Sequence, residues 1–315
     1  MKLELKEYEF QSEVKHGKVY TCELKMIPYP DERVRTIRIW LPDGYDGTRR
    51  YPVLYMHDAQ NLFPSAGGRT GWNAAEGMSS IPDADQAMIV GIDFNMPTRG
   101  SELQPAFPVD ESTFASMGGR RPWFINEDAT CDIYGQFIVN TLKPLIDENF
   151  CTLTDRVHTI IGGSSMGGLA STYLAMRYPE IFGRAVIFSP VYYVFDQKYV
   201  FDLLENYDMS KLADNRFFFY NGDEALDRAL TDTALAVFRK LRERGMDSRH
   251  AAFILDTRQP HFEGSWAEYF PTALRFLLCE DNAIKLPQMP PRPQGGRPPM
   301  VGPHDTPEAK FPPRG

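Results

Sequence analysis

Short runs of consecutive apolar residues recur along the chain, at 51–57, 87–93, 157–163, 184–189, 216–221 and 251–256. A strand with one face in water alternates apolar and polar positions, whereas a run that is apolar throughout suits a strand covered on both faces, as in a parallel sheet. Helix-length segments fall between these runs, at about 73–82, 131–148, 167–178, 225–245 and 264–279. Ahead of them, residues 17–27 and 33–41 are rich in Val, Ile, Tyr and Thr and flank Pro28-Tyr29-Pro30-Asp31, which predicts an antiparallel hairpin. Strand and helix alternation after a hairpin predicts a doubly wound α/β domain with helices on both faces of a mostly parallel sheet.

Residues 94–130 break the regularity. They are too long for an ordinary connection and contain Arg99, Glu102, Trp123 and Phe124, so they are read as a functional lid or substrate wall. No internal repeat or Gly/Ser linker divides the rest, which predicts one domain over 1–284. Ten of the 25 prolines lie in 285–315, and this stretch is expected to be an extended tail outside the core.

Charge separates the same two parts. The 315-residue chain carries a net −8; residues 285–315 contribute +3 and the remainder −11. An acidic body offers no field for a polyanion, so nucleic acid is not an expected partner. Apolar residues make up 43% of the chain and aromatics 13%, yet no stretch approaches the ~18 consecutive apolar residues of a membrane span, and a membrane partner is not expected either. The N-terminal MKLELKEYEF has no apolar signal run, and Cys22, Cys131, Cys151 and Cys279 are too scattered for a zinc site or disulfide framework. Free thiols and a cytoplasmic location are the corresponding expectations. The oligomeric state is left open.

The chemistry concentrates in Gly163-Ser164-Ser165-Met166-Gly167. This G-x-S-x-G follows an apolar strand and precedes a helical segment, the setting in which small flanking residues permit a sharp turn that lifts the serine hydroxyl above the sheet. A phosphate cradle is disfavoured, because the P-loop lysine is missing and no G-x-G-x-x-G follows the first parallel strand. A serine hydroxyl needs a base, and the base needs an acid to orient it. In elbow enzymes the chain order is Ser, acid, His. His250, His261 and His304 follow Ser165. His304 lies in the Pro-rich tail and His250 begins a strand, leaving His261, on a loop after the strand 251–256, as the expected base. The acid should leave the strand 216–221, where Asp223, Glu224 and Asp227 crowd together; Glu224 is the first choice, Asp223 the second and Asp227 the third. The backbone amides of Met166 and Gln60 are the expected oxyanion donors.

Beyond the elbow, the segments YPVLYMHDAQNLF, VGID, TLKPLIDENF, GGSSMGGLASTYLAMRYPEIFGRAVIFSP and HFEGSW resemble the putative-esterase family of α/β-hydrolases. That family includes S-formylglutathione hydrolases, enterochelin-type siderophore esterases, and the feruloyl and acetyl-xylan esterases of carbohydrate esterase family 1. The resemblance spans most of residues 35–280. It implies an α/β-hydrolase fold and a serine carboxylic-ester hydrolase working through an acyl-enzyme, without metal or organic cofactor, on a small-molecule or carbohydrate-linked ester such as a feruloyl or acetyl ester. The alternatives are a siderophore esterase or S-formylglutathione hydrolase, an acyltransferase, and a non-catalytic binding protein on the same fold.

In this resemblance, Phe188-Ser189-Pro190 closes the block after the elbow, and His261, Glu263 and Trp266 match an H-x-E-x-x-W segment. Three departures stand out. The turn Gly222-Asp223-Glu224 is one residue shorter than the family's acid turn. Ala59 replaces a glycine in the oxyanion loop. Tyr192 and Tyr193 stand where relatives often carry Trp. Those tyrosines, with Trp266, Trp123 and Phe124, are expected to form an aromatic wall for a ring or sugar. Arg99 and Glu102 match an R-x-x-E loop flanking the site in relatives and complete the expected substrate-binding set.

Overall fold

The computed structural model describes residues 2–65, 71–116, 122, 124–126, 128–212, 214–282 and 284. Among the described residues the apolar runs become strands of one nine-stranded sheet. Strands β1 (Lys6–Glu7), β2 (Lys18–Lys25) and β3 (Val34–Leu41) form an antiparallel edge. Then β4 (Val53–His57), β5 (Met88–Ile92), β6 (Thr159–Ser164), β7 (Arg184–Phe188), β8 (Arg216–Glu224) and β9 (Ala251–Pro260) run parallel to one another. The spatial order is β1-β2-β3-β5-β4-β6-β7-β8-β9.

The unbroken apolar runs have a simple cause. Successive side chains of a strand point to opposite faces, and both faces are covered. In β8, Phe217 and Phe219 enter one core while Phe218 and Tyr220 enter the other. In β4, Val53 and Tyr55 separate from Leu54 and Met56 in the same way. Each such large apolar side chain contributes roughly 1.5–3 kcal/mol on full burial. One core is closed by α2 (Met96–Leu103), α4 (Cys131–Phe137), α5 (Lys143–Asn149), α6 (Met166–Arg177), α7 (Gln197–Glu205) and α8 (Leu226–Glu243), and the other by α1 (Ala74–Ser79) and α9 (Glu263–Leu278). The segment 131–148, read as a single helix, is continuous but passes through wider π turns at Ile138–Leu142 between α4 and α5. Among the described residues no helix is long and apolar enough to cross a membrane.

Two expectations change. The stretch 94–130 is not irregular throughout: it holds α2 and α3 (Glu111–Ser116), and Val109 bridges Phe195 in the segment after β7. Strands β8 and β9 also run past their expected ends, with Glu224 still paired to Pro260 across a bulge between Gly222 and Glu224. Gly-Asp-Glu reads locally as a turn, but a neighbouring strand at the same level satisfies its backbone and carries the ladder on. Trp123 and the tail 285–315 lie outside the described residues.

Candidate active site

All parallel strands deliver their following loops to the same edge of the sheet, and the chemistry collects there. Ser165 sits between β6 and α6 with φ 59° and ψ −123°, a conformation that costs a non-glycine residue about 1–3 kcal/mol. The surrounding backbone holds it. The Ser165 amide donates to the Phe188 carbonyl at 3.0 Å, and its carbonyl accepts from Leu169 at 3.1 Å and Val191 at 3.3 Å. The glycines of the motif are needed for close approach: a Cβ on Gly163 would lie 3.0 Å from His57 Cδ2 and 3.1 Å from the Gly167 carbonyl carbon. Met166 is the first residue of α6, and its amide has no acceptor within the helix.

His261 follows directly on β9 and donates through Nδ1 to Asp227 Oδ1 at 2.5 Å. The carboxylate against the histidine is therefore Asp227, in place of the expected Glu224 or Asp223. The cause is the extension of β8. Glu224 is still a strand residue opposite Pro260, and Asp223 stands 3.8 Å from Arg228 in a partly exposed pair. The chain turns only at Ala225, with φ 51° and ψ −124°, almost the backbone conformation of Ser165. This second elbow sets Asp227 in the first turn of α8, fully buried. Its other oxygen, Oδ2, accepts from the Ser189 hydroxyl at 2.7 Å and the Gly222 amide at 2.7 Å. A buried carboxylate with three donors stays in one orientation.

Trp266 supports the group from behind. Its indole Nε1 donates to Ser189 Oγ at 3.0 Å, and its ring meets His261 edge-on with centroids 5.0 Å apart. It is 4% exposed, so it braces the histidine instead of forming a substrate wall. Tyr192 is also no wall: it is fully buried, and its hydroxyl bonds Thr172 Oγ1 at 2.5 Å. Tyr193 and Phe124 are half-buried against the core. Glu102 is buried and held by Arg33 at 2.9 Å and Arg35 at 2.7 Å. Arg99 is engaged by Asp58 through two 2.7 Å bonds. Both residues of the R-x-x-E pair are thus committed to internal ion pairs.

Ala59 fits where relatives carry glycine because the left-handed conformation falls on Asp58, at φ 57° and ψ 50°, a type of residue that tolerates it. Gln60 occupies the short turn Ala59–Asn61, where an early amide has no acceptor within the turn. Neither Ser189, although it stands inside the Phe-Ser-Pro block, nor His57 has a role legible in the sequence pattern. His57 lies beneath the elbow with Nδ1 2.9 Å from the Tyr134 hydroxyl and Nε2 without a hydrogen-bond partner among the described residues. Burial pushes its imidazole down to about 4, with Asp58 opposing and Arg99 reinforcing that shift. Among the described residues no group of three His, Cys, Asp or Glu side chains is arranged to hold a metal ion.

An imidazole held at Nδ1 by a buried carboxylate has its other nitrogen available to exchange a proton with a hydroxyl. With a strained serine at the same sheet edge, at the head of α6, the arrangement suits nucleophilic attack on a carbonyl. Comparison with known proteins points the same way. The family described as "Putative esterase" matches residues 31–283. An endo-1,4-β-xylanase/feruloyl esterase of Xylanibacter ruminicola is 24% identical over 187 residues, and the match spans 56% of this chain but only 22% of that protein. A solved ferulic acid esterase superposes with a TM-score of 0.58 at 18% identity, over 84% of this chain and 98% of the other. The enterobactin esterase of Shigella flexneri, solved in the presence of enterobactin, gives 0.61 at 16% identity, over 82% and 58%. The sheet order and these superpositions make the architecture an α/β-hydrolase fold.

Proposed function

Because the chain belongs to the putative-esterase family of carboxylic-ester hydrolases, we propose that it is a serine esterase whose nucleophile is Ser165, whose base is His261 and whose orienting acid is Asp227. The observation that carries this reading is the 2.5 Å bond from His261 to a fully buried carboxylate at the sheet edge that also bears the strained Ser165. Ser165 Oγ attacks the ester carbonyl as His261 takes its proton, and Asp227 stabilises the imidazolium without accepting that proton. The amides of Met166 and Gln60 receive the charge that develops on the carbonyl oxygen. Collapse expels the alcohol, protonated by His261, and leaves an acyl-Ser165. Water then repeats the steps and releases the acid.

The substrate read from the site is an ester with an aromatic acyl group, of which a carbohydrate-linked feruloyl ester is the first candidate. Phe262 and Leu226, the chain neighbours of His261 and Asp227, remain 37% and 36% exposed, which supports an apolar acyl group. The named activities of the Xylanibacter relative and of the solved ferulic acid esterase support the same class. A panel of methyl ferulate, acetylated xylan, enterobactin, S-formylglutathione and p-nitrophenyl acetate tests it. Highest kcat/KM on methyl ferulate supports the reading, and selective turnover of the thioester overturns it.

A further inference from the structure

The oxyanion loop is held from one side by a single segment. Asp58, left-handed at φ 57°, receives the Arg99 guanidinium in a bidentate pair, Nε to Oδ1 and NH2 to Oδ2, both at 2.7 Å. The pair is shielded, with side chains 14% and 10% exposed. Gln60 reaches the same segment: its Nε2 donates to the Phe94 carbonyl at 2.7 Å, and its Oε1 accepts from the Phe94 amide at 2.8 Å. The Phe94 ring lies 5.7 Å from the Arg99 guanidinium. Even the fit of Ala59 depends on this neighbourhood, since a Cβ on Gly91 would stand 2.6 Å from that of Ala59.

The segment is itself anchored. Arg99 and Glu102 lie one turn apart on α2, and Glu102 is fixed to the hairpin by Arg33 and Arg35. The load path runs from β3 and the residues before it, through Glu102 and α2, to Arg99, Asp58 and the loop that carries the Gln60 amide. Asp58 Oδ2 also lies 3.7 Å from where a Cβ on Gly167 would stand, so the ion pair sits beside the nucleophile elbow.

We propose that Arg99 is a positioning residue that sets the second oxyanion donor by fixing Asp58 in its left-handed conformation. This rests on the serine-esterase reading. Arg99 works through geometry and not charge alone, because only a planar fork meets both carboxylate oxygens at once. The spacing of Arg99 and Glu102 then has a mechanical meaning: one side chain grips the loop while the other grips the scaffold.

The test is Arg99→Lys, which keeps a cation beside the buried Asp58 but cannot form the fork. Wild type and variant are compared for kcat and KM on p-nitrophenyl acetate and for inhibition by phenylboronic acid, which forms a tetrahedral adduct with the serine. The expected result is a fall in kcat of at least about tenfold, against the ~10²–10³ that follows complete loss of an oxyanion donor. KM should stay within about threefold, and boronate affinity should weaken by the same factor as kcat/KM. The neutral pair Arg99→Gln with Asp58→Asn, which leaves no buried charge, should show the same losses if Arg99→Lys melts early. Wild-type kcat in either folded variant, or a change in KM alone, overturns the proposal. Fluorophosphonate labelling of the wild type separates the two levels: label on Ser165 with wild-type kcat in the variants defeats the role of Arg99 only, and label elsewhere defeats the esterase assignment beneath it.

Discussion

His261 is tied to Asp227 by a 2.5 Å hydrogen bond, while Ser189 and the Gly222 amide hold the carboxylate's other oxygen. The neighbouring acids Asp223 and Glu224 stand on the extended strand β8. Asp227→Asn should lower kcat by about 10³–10⁴, as loss of an orienting carboxylate does in serine hydrolases. Glu224→Gln and Asp223→Asn should stay within about threefold of wild type. Steady-state assays on p-nitrophenyl acetate with all three variants check this, and a large loss in Glu224→Gln alone would move the acid.

Ser189 serves two partners at once, donating to Asp227 and accepting from Trp266. Ser189→Ala leaves the buried indole N–H without an acceptor, which costs about 1–3 kcal/mol. Urea unfolding midpoints should fall accordingly. kcat should fall as well, because Asp227 keeps only the Gly222 amide on Oδ2. A variant as stable and active as wild type would show that the Asp227 carboxylate needs no such bracing.

Ala225 repeats the backbone conformation of Ser165 but carries no chemistry, at φ 51° and ψ −124°. Glycine adopts this region without the Cβ clash. Ala225→Gly should therefore match or exceed wild-type stability, by up to about 1 kcal/mol, whereas Ala225→Val should lose stability and displace Asp227. Thermal melts and kcat on the two variants check the expectation together.

How much of this was legible in the sequence depends on the range of the interactions involved. The parallel strands were legible because both faces are buried, so Phe217 to Tyr220 could be read from composition. Ser165 was legible because the elbow's steric demand is met within five residues. Asp227 ranks last among three carboxylates on sequence because the length of β8 is set by pairing with Pro260, 36 residues beyond Glu224, which no local pattern encodes. Tyr192 and Trp266 read as a surface wall on sequence for a related reason. An aromatic side chain looks the same in sequence whether it lines a cleft or is buried, and here Thr172 and Ser189 draw both inward. The R-x-x-E spacing marks Arg99 and Glu102 as a pair, but their partners, Asp58, Arg33 and Arg35, are distant in sequence.

His57 adds a dependence on pH. Its folded-state value is depressed to about 4 by burial, below the ordinary ~6.5 of an unfolded histidine. Acid protonates it first in the unfolded chain, so its stabilising contribution is intact above about pH 6.5 and declines as pH falls toward 4. The loss amounts to roughly 3 kcal/mol over that interval. Urea titrations at pH 7 and pH 4.5 should show a stability difference that shrinks in His57→Gln. An equal difference in both proteins would mean that His57 does not carry it.

In the proposed mechanism Ser165 carries the acyl group. Rapid acid quench during turnover of p-nitrophenyl acetate, followed by peptide mass analysis, reads the acylated residue directly. Acetyl on Ser165 is the expected result, absent in Ser165→Ala and accumulating in Asp227→Asn more slowly than in wild type. Acetyl on another residue, or full turnover by Ser165→Ala, would contradict it.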